Sequence, residues 1–385
     1  MAYYSIFPEK DTTIYSHPDR IKMNTGQDEV LEILKERGKS DQRYYPSRIL
    51  IQFNNEEIKD VISNKIGSSI FNNGITKANI ELFSAEHKNL ATILNIETFA
   101  VSQSWNEGSG RFTNIPLTSN GSSWTYRDND ISKTQWTTSS FATATTGSIN
   151  ASGIAVGGGE WYTGSLFQGS QQFLRGSNMD VNLDVTSIVQ KHSASLFVGQ
   201  TYPTGINNNG FIIKQPNVIE ENTSSSFGEM QYFSTDTHTI YPPKLTFKWD
   251  DSSYSIGSGS ILNSGDIFLS LYNNKKTFQR KSKQRFRLTT RKRYPDRTFT
   301  TTSNYLNVQY LPTTSYYSLR DGETDEVIIP FDTSFTKLSA DSEGMYFDLY
   351  MEGLQPERYY KLMFRSDNSD GVQIFDEDYI FKIVR

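Results

Sequence analysis

The stretch from Asp180 to Trp249 decides the fold of this chain. It contains three apolar segments, DVNLDVTSIVQKH (180–192), NNNGFIIKQ (207–215) and QYFSTDTHTIYPPKLTFKW (231–249). Apolar residues alternate with polar ones in the first and last segments, at Val181, Leu183 and Val185 and again at Leu245, Phe247 and Trp249. Because side chains on a β-strand point alternately to opposite faces, this period of two predicts strands with one face in a core.

Residues 1 to about 95 show the same pattern. Strands are predicted in KDTTIYS (10–16), NTGQDEVLEIL (24–34), SRILIQFN (47–54) and KANIELFSA (77–85). Between the last two, Asn54 or Asn55 is expected to cap a short helix, since its apolar residues follow at helical spacing, at Ile58, Val61, Ile62 and Ile66.

This order of strands, turns and one short helix resembles the DNRLRE-type jelly-roll module of surface and virion proteins. The resemblance covers roughly residues 5–250 and rests on order and patterning. It implies a jelly-roll β-sandwich over residues 1–250 and no particular catalytic residue. We therefore expect an all-β protein.

After Trp249 the sequence changes character. The polar, glycine- and serine-rich segment 251–261 predicts a linker. Alternating apolar residues return in NYLNVQYL (304–311) and MYFDLYME (345–352). In GLQPERYYKLMF (353–364), the spacing from Leu354 to Tyr360 resembles the tyrosine corner of immunoglobulin-like and fibronectin-type-III sandwiches, where the hydroxyl bonds back to the main chain. We expect such a sandwich over 262–385.

Composition limits the chemistry. The chain has 385 residues, a formal charge of −5 and no cysteine, which excludes disulfides, thiolate catalysis and cysteine-bound metal centres. The N-terminal sequence does not have the pattern of a secretory signal, and no window has the roughly 18 apolar residues of a membrane helix.

No catalytic motif stands out. The four histidines form no close pair, and phosphate-loop and GxSxG motifs are missing. We therefore expect no enzymatic activity, no cofactor and no catalytic metal. A structural Ca²⁺ held by loop oxygens, with Asp11 as one ligand, stays open as an alternative.

Four tryptophans occur at intervals through a region of low charge: Trp105, Trp124, Trp136 and Trp161. Two interpretations compete. They are core or loop anchors, each with an indole N–H to satisfy, or they form an exposed platform on which a glycan stacks.

One segment concentrates positive charge. Its cations are candidate protein-interaction residues: Lys275, Lys276, Arg280, Lys281, Lys283, Arg285, Arg287, Arg291, Lys292 and Arg293. Residues 321–378 are correspondingly acidic. The cations either guard an edge strand against aggregation or dock an acidic protein surface. Nucleic acid is the least favoured partner, because no groove or stacking module accompanies the charge.

Together these features predict a non-enzymatic structural protein of a tailed-phage virion, in the tail, baseplate, neck or head fibre. It would be made in the host cytoplasm, be present in many copies or as a homo-oligomer, and contact other virion proteins through the basic segment. The alternative is a carbohydrate-binding adhesion module that recognises a host surface glycan through exposed aromatic residues.

Overall fold

The computed structural model describes residues 2–67, 76–130, 133–136, 144–145, 157–196, 205–226, 228–257, 259–272, 274–294, 299 and 308–385. Strands dominate these residues, and the predicted all-β class is confirmed. In the described part of the chain, none of the helices combines the length and apolar character needed to cross a membrane.

The chain divides into two compact units. One is Ile6–Thr246, called here the 6–246 unit; the other combines Met1–Ser5 with Phe247–Arg385 and is called the C-terminal unit. The chain therefore passes between units twice, within its first strand and within the strand ending at Trp249. Residues 1–250 were predicted to form one domain.

The strands up to Trp249 are β1 (Ala2–Ile6), β2 (Pro8–Tyr15), β3 (Val30–Ile33), β4 (Lys35–Arg37), β5 (Tyr44–Phe53), β6 (Lys77–Leu82), β7 (Ser84–Lys88), β8 (Ile93–Ala100), β9 (Tyr126–Asp128), β10 (Thr134–Gln135), β11 (Ala144–Thr145), β12 (Trp161–Tyr162), β13 (Gln168–Leu174), β14 (Val181–Asp184), β15 (Phe211–Lys214), β16 (Glu229–Phe233) and β17 (Lys244–Trp249). The largest sheet has the order β13-β8-β15-β5-β2, with β4 on β5. Others run β1-β17-β6-β14 and β3-β16-β7, and β9–β10 and β11–β12 form pairs.

The helices are short and connect strands. Helix α1 (Asn55–Asp60) has Asn54 as its N-cap, and the Asn54 side chain accepts a hydrogen bond from Glu56 N at 2.8 Å. It continues into a π-helical segment, Val61–Ile66, and the predicted apolar face is buried. Helix α2 (Thr186–Leu196) follows β14, and helix α3 (Asn217–Glu221) follows β15. The predicted capped helix is confirmed, whereas α2 was not predicted.

The remaining strands are β18 (Ser260–Ile261), β19 (Ile267–Tyr272), β20 (Thr277–Gln279), β21 (Lys283–Lys292), β22 (Gln309–Tyr310), β23 (Ser315–Asp321), β24 (Val327–Ile329), β25 (Ser339–Asp341), β26 (Gly344–Tyr350), β27 (Tyr359–Asn368) and β28 (Gly371–Val384), with a 3₁₀ turn at Met351–Gly353. One sheet has the order β18-β22-β21-β26-β25, with β19 on β21; the other has the order β20-β28-β27-β23-β24. The predicted strand residue Leu306 lies outside the described residues.

Both sheets of the C-terminal unit contribute to one aromatic core. Phe347 of β26 stacks on Phe286 at 5.1 Å and on Tyr317 at 4.4 Å between ring centroids. Tyr3 of β1 belongs to the same buried cluster. The segment predicted as a linker takes part in this unit as well, since Tyr254 bridges to Ala340 and Ser260–Ile261 pairs with β22.

The tyrosine corner is present. Tyr360 is 1% exposed, and its hydroxyl donates to Gln355 O at 2.8 Å, as the spacing predicted. This bond fixes the main chain where it enters β27.

Replacing Tyr360 with Phe removes the donor and leaves Gln355 O without it. We expect a loss of about 1 kcal/mol in the unfolding free energy of the C-terminal unit, the usual net value of one hydrogen bond. Urea unfolding measures it. An unchanged midpoint would show that the corner contributes nothing.

Candidate functional site

The four predicted tryptophans lie in one buried cluster of the 6–246 unit. Trp105, Trp124, Trp136 and Trp161 are 4%, 2%, 7% and 3% exposed and pack with Ile14, Leu50, Phe99, Val101 and Ile212. Trp105 Nε1 donates to Asn209 O and Trp136 Nε1 to Ser123 O, both at 2.9 Å. Their burial matches the core-anchor interpretation and leaves no open indole face for a sugar.

A buried ionic cluster lies against these indoles. Arg48 of β5 donates through Nε and Nη2 to the two carboxylate oxygens of Glu220, at 3.1 and 2.6 Å. Lys214 of β15 places its Nζ 3.2 Å from Glu220 Oε2. Burial lowers the pKa of Lys214, and the Glu220 charge opposes that shift. Two cations thus share one carboxylate inside the unit.

Nearby backbone completes this cluster. Arg48 Nη1 donates to Gly158 O at 2.5 Å, and the guanidinium lies 4.6 Å from the ring centre of Trp124. Gly158 has φ +85°, and a Cβ there would lie 2.7 Å from Arg48 Nη1. Lys35 Nζ donates to Ile219 O at 2.6 Å, within the short helix that carries Glu220. The cluster is therefore held rigidly, which suits a structural role.

Two carboxyl groups with raised pKa values lie elsewhere in the same unit. Burial raises the pKa of Asp11 to about 7, although Asp11 Oδ2 accepts hydrogen bonds from Thr235 N and Oγ1 at 2.8 and 2.7 Å. Burial also raises the pKa of Glu107 to about 7, and its Oε1 accepts from Asp11 N at 2.9 Å. Among the described residues, no three histidine, aspartate or glutamate side chains are grouped so that they could hold a metal ion.

The basic segment contains cations that form ion pairs within their own unit and exposed cations that form no ion pair with another described residue. Three of its side chains on β21 face acids of the β25–β26 hairpin. Arg285 Nε lies 2.8 Å from Asp348 Oδ1, and Lys283 Nζ lies 3.2 Å from Asp348 Oδ2. Arg287 Nη2 lies 2.9 Å from Asp341 and 3.0 Å from Glu343. These cations are therefore neutralised within their own unit.

The same strand pair stacks cations on aromatic rings. Arg285 lies 4.1 Å from the ring centre of Tyr346, and Lys283 lies 4.9 Å from that of Tyr350. Farther along β21, Arg291 lies 4.7 Å from the ring centre of Phe268. Cross-strand contacts of this kind stabilise a sheet.

Four other cations flank β20, which lies at one edge of its sheet. Lys275 and Lys276 precede it, and Arg280 and Lys281 follow it. All four are exposed, and none has an ion pair with another described residue. We call these four residues the edge cluster. Arg291, Lys292 and Arg293, also exposed, lie at the opposite end of β21.

The acids that neutralise β21 were not predicted. Residues 321–378 were interpreted as a separate acidic region, although Asp348 alternates with the buried Phe347 and Leu349 and so points outward. The sequence did contain a signal for this pairing. Asp348 lies between apolar residues on one strand, and Arg285 and Arg287 alternate with apolar residues on another. No protein-family model matches the chain, and no curated protein is significantly similar to it.

Proposed function

We propose that the chain is a non-enzymatic structural protein of a tailed-phage virion, and that it docks onto an acidic surface of another virion protein through the edge cluster. The observation that carries the docking step is the contrast within the basic segment. Lys283, Arg285 and Arg287 are neutralised by their own unit, whereas the edge cluster is exposed and has no ion pair with another described residue.

Edge position and charge together favour a protein partner. β20 is three residues long and pairs with β28 on one side, while Phe278 anchors it in the core at 7% exposure. Cations on a short edge strand discourage indiscriminate strand pairing. The same cations attract and orient an acidic partner, because opposite potentials steer association. A virion supplies many copies, so modest contacts gain from multivalency.

The virion assignment is tested directly by mass spectrometry of purified particles of the phage that encodes the chain. We expect the protein at a fixed copy number that survives repeated washes of the particles at low ionic strength, since salt would screen the docking charges. Absence from washed particles would refute the assignment.

Reversing the charge of the edge cluster tests the docking step. The variant Lys275→Glu, Lys276→Glu, Arg280→Glu, Lys281→Glu is expected to weaken binding to particles that lack the protein by about tenfold or more. Because salt screens exposed charges, wild-type binding should also weaken as NaCl rises. Co-sedimentation at several salt concentrations measures both effects.

A matched control carries the same charge change in the 6–246 unit: Lys22→Glu, Lys39→Glu, Arg43→Glu, Arg175→Glu, all at exposed positions. We expect it to bind nearly as wild type does. If both variants lose affinity equally, net charge rather than the edge cluster governs binding. If neither variant loses affinity, the edge cluster serves only to discourage strand pairing between β20 and other chains.

A further inference from the structure

A polar pocket opens at one end of the largest sheet of the 6–246 unit. Its volume is about 360 Å³, at the lower end of the roughly 300–1,000 Å³ typical of small-molecule sites. Its described lining residues all carry polar side chains: Ser102, Gln103, Ser104, Arg127, Thr134, Asn207 and Asn209. They come from the loops after β8 and before β15, neighbouring antiparallel strands, and from the β9–β10 pair.

The pocket walls are held by hydrogen bonds to main-chain carbonyls. Val101 N donates to Gly210 O at 3.0 Å, and Trp105 Nε1 donates to Asn209 O at 2.9 Å. Gly210 has φ +86°, and a Cβ there would lie 2.3 Å from Ile51 O, so only glycine fits this approach. Because the walls are fixed before a ligand arrives, little ordering cost remains for binding.

Several lining groups retain hydrogen-bonding capacity. Ser102 Oγ is buried and has no partner among the described residues. The side chains of Thr134, Asn207 and Asn209 likewise form no hydrogen bond within the described part of the chain. Arg127 Nη1 donates to Ser104 O at 2.7 Å, which positions the guanidinium in the wall. Amides and hydroxyls offer donors and acceptors side by side.

We propose that this pocket binds one or two sugar rings of a carbohydrate. A bound ligand displaces the water that solvates Thr134, Asn207 and Asn209, and a polar group left unpaired is then costly, so the pocket favours a ligand that supplies hydrogen bonds over its whole surface. A sugar has that chemistry, since each hydroxyl donates and accepts. An apolar ligand would leave the amides unsatisfied, and a polyphosphate would face a single cation, Arg127, among the described lining residues. None of the four buried indoles is among the described lining residues, so they would not contact the sugar.

The test uses the full chain and four named sugars: glucose, galactose, N-acetylglucosamine and glucuronic acid. Saturation-transfer NMR at about 10 mM sugar is expected to detect at least one of them, since a millimolar Kd corresponds to a few hydrogen bonds. The double variant Asn207→Ala, Asn209→Ala should weaken that binding about tenfold. Asn207→Trp, which fills the mouth, should abolish it.

The matched control is Asn95→Ala, an exposed asparagine on β8 away from the pocket. It should leave binding unchanged, and the thermal midpoints of all variants should stay near that of wild type. No signal from any of the four sugars would overturn the proposal, and so would equal binding by the wild type and the Asn207 and Asn209 variants. Neither result bears on whether the chain is part of a virion.

Discussion

Replacing Glu220 with Gln is expected to destabilise the 6–246 unit by about 3–5 kcal/mol, the usual cost of breaking a buried ion pair from one side. Glutamine keeps the shape but removes the carboxylate charge that both cations contact. Arg48 is 1% exposed and Lys214 is 0% exposed, so water cannot replace the lost carboxylate. Urea unfolding followed by tryptophan fluorescence measures the effect.

The neighbouring Glu221→Gln is the control, because Glu221 is exposed on the same short helix. It should change the unfolding free energy by less than about 0.5 kcal/mol. Adding Lys214→Met to Glu220→Gln removes one uncompensated cation and should recover part of the loss, so a double-mutant cycle should show coupling. Equal effects of the two glutamine variants would contradict the shared-carboxylate account.

The second large effect concerns Asp11. Its folded-state pKa of about 7 lies above its ordinary value of 3.8, so the folded protein binds more protons than the unfolded chain between these values. The resulting stabilisation is complete below about pH 4 and is lost as pH rises to about 7. A shift of this size corresponds to roughly 4 kcal/mol. Burial also raises the pKa of Glu107, so this carboxyl group contributes to the pH dependence of stability with the same sign.

Asp11→Asn is therefore expected to stabilise the 6–246 unit above pH 7 and to flatten its stability profile between pH 4 and 7. Asparagine removes the buried charge while its oxygen still accepts from Thr235. Urea midpoints measured at intervals from pH 4.5 to 8.5 test this prediction. The exposed Asp130→Asn serves as control and should follow the wild-type profile. A steep profile retained in Asp11→Asn would show that other groups set the pH dependence.

Local patterns predicted much of the secondary structure. Alternation identified β14, β17 and β26, and the Asn54 cap located α1. Helix α2 was missed because its first residues continue the alternation of β14, although Ile188, Val189 and His192 are buried at helical spacing. Asp184 ends the strand by accepting a hydrogen bond from Thr186 N at 3.0 Å, a turn signal that period counting ignores.

The sites were less predictable because they depend on contacts between distant residues. Arg48 and Glu220 are far apart in sequence, and nothing local to either indicates a partner. The basic segment was visible as composition, but the division into neutralised and open cations required the register that pairs Arg285 with Asp348. Polar residues such as Asn207 and Asn209 look like an ordinary loop until the fold brings Ser102 and Arg127 beside them.

The division of the chain into units has a consequence for biosynthesis. Met1–Ser5 are synthesised before the 6–246 unit, yet they belong to the unit whose other residues, Phe247–Arg385, are synthesised after it. Tyr3 can therefore enter its core only after the 6–246 unit and the core residues that follow it have been synthesised. The 6–246 unit can fold while this first segment is still unpaired, and a fragment beginning at Phe247 would lack one of its own core side chains.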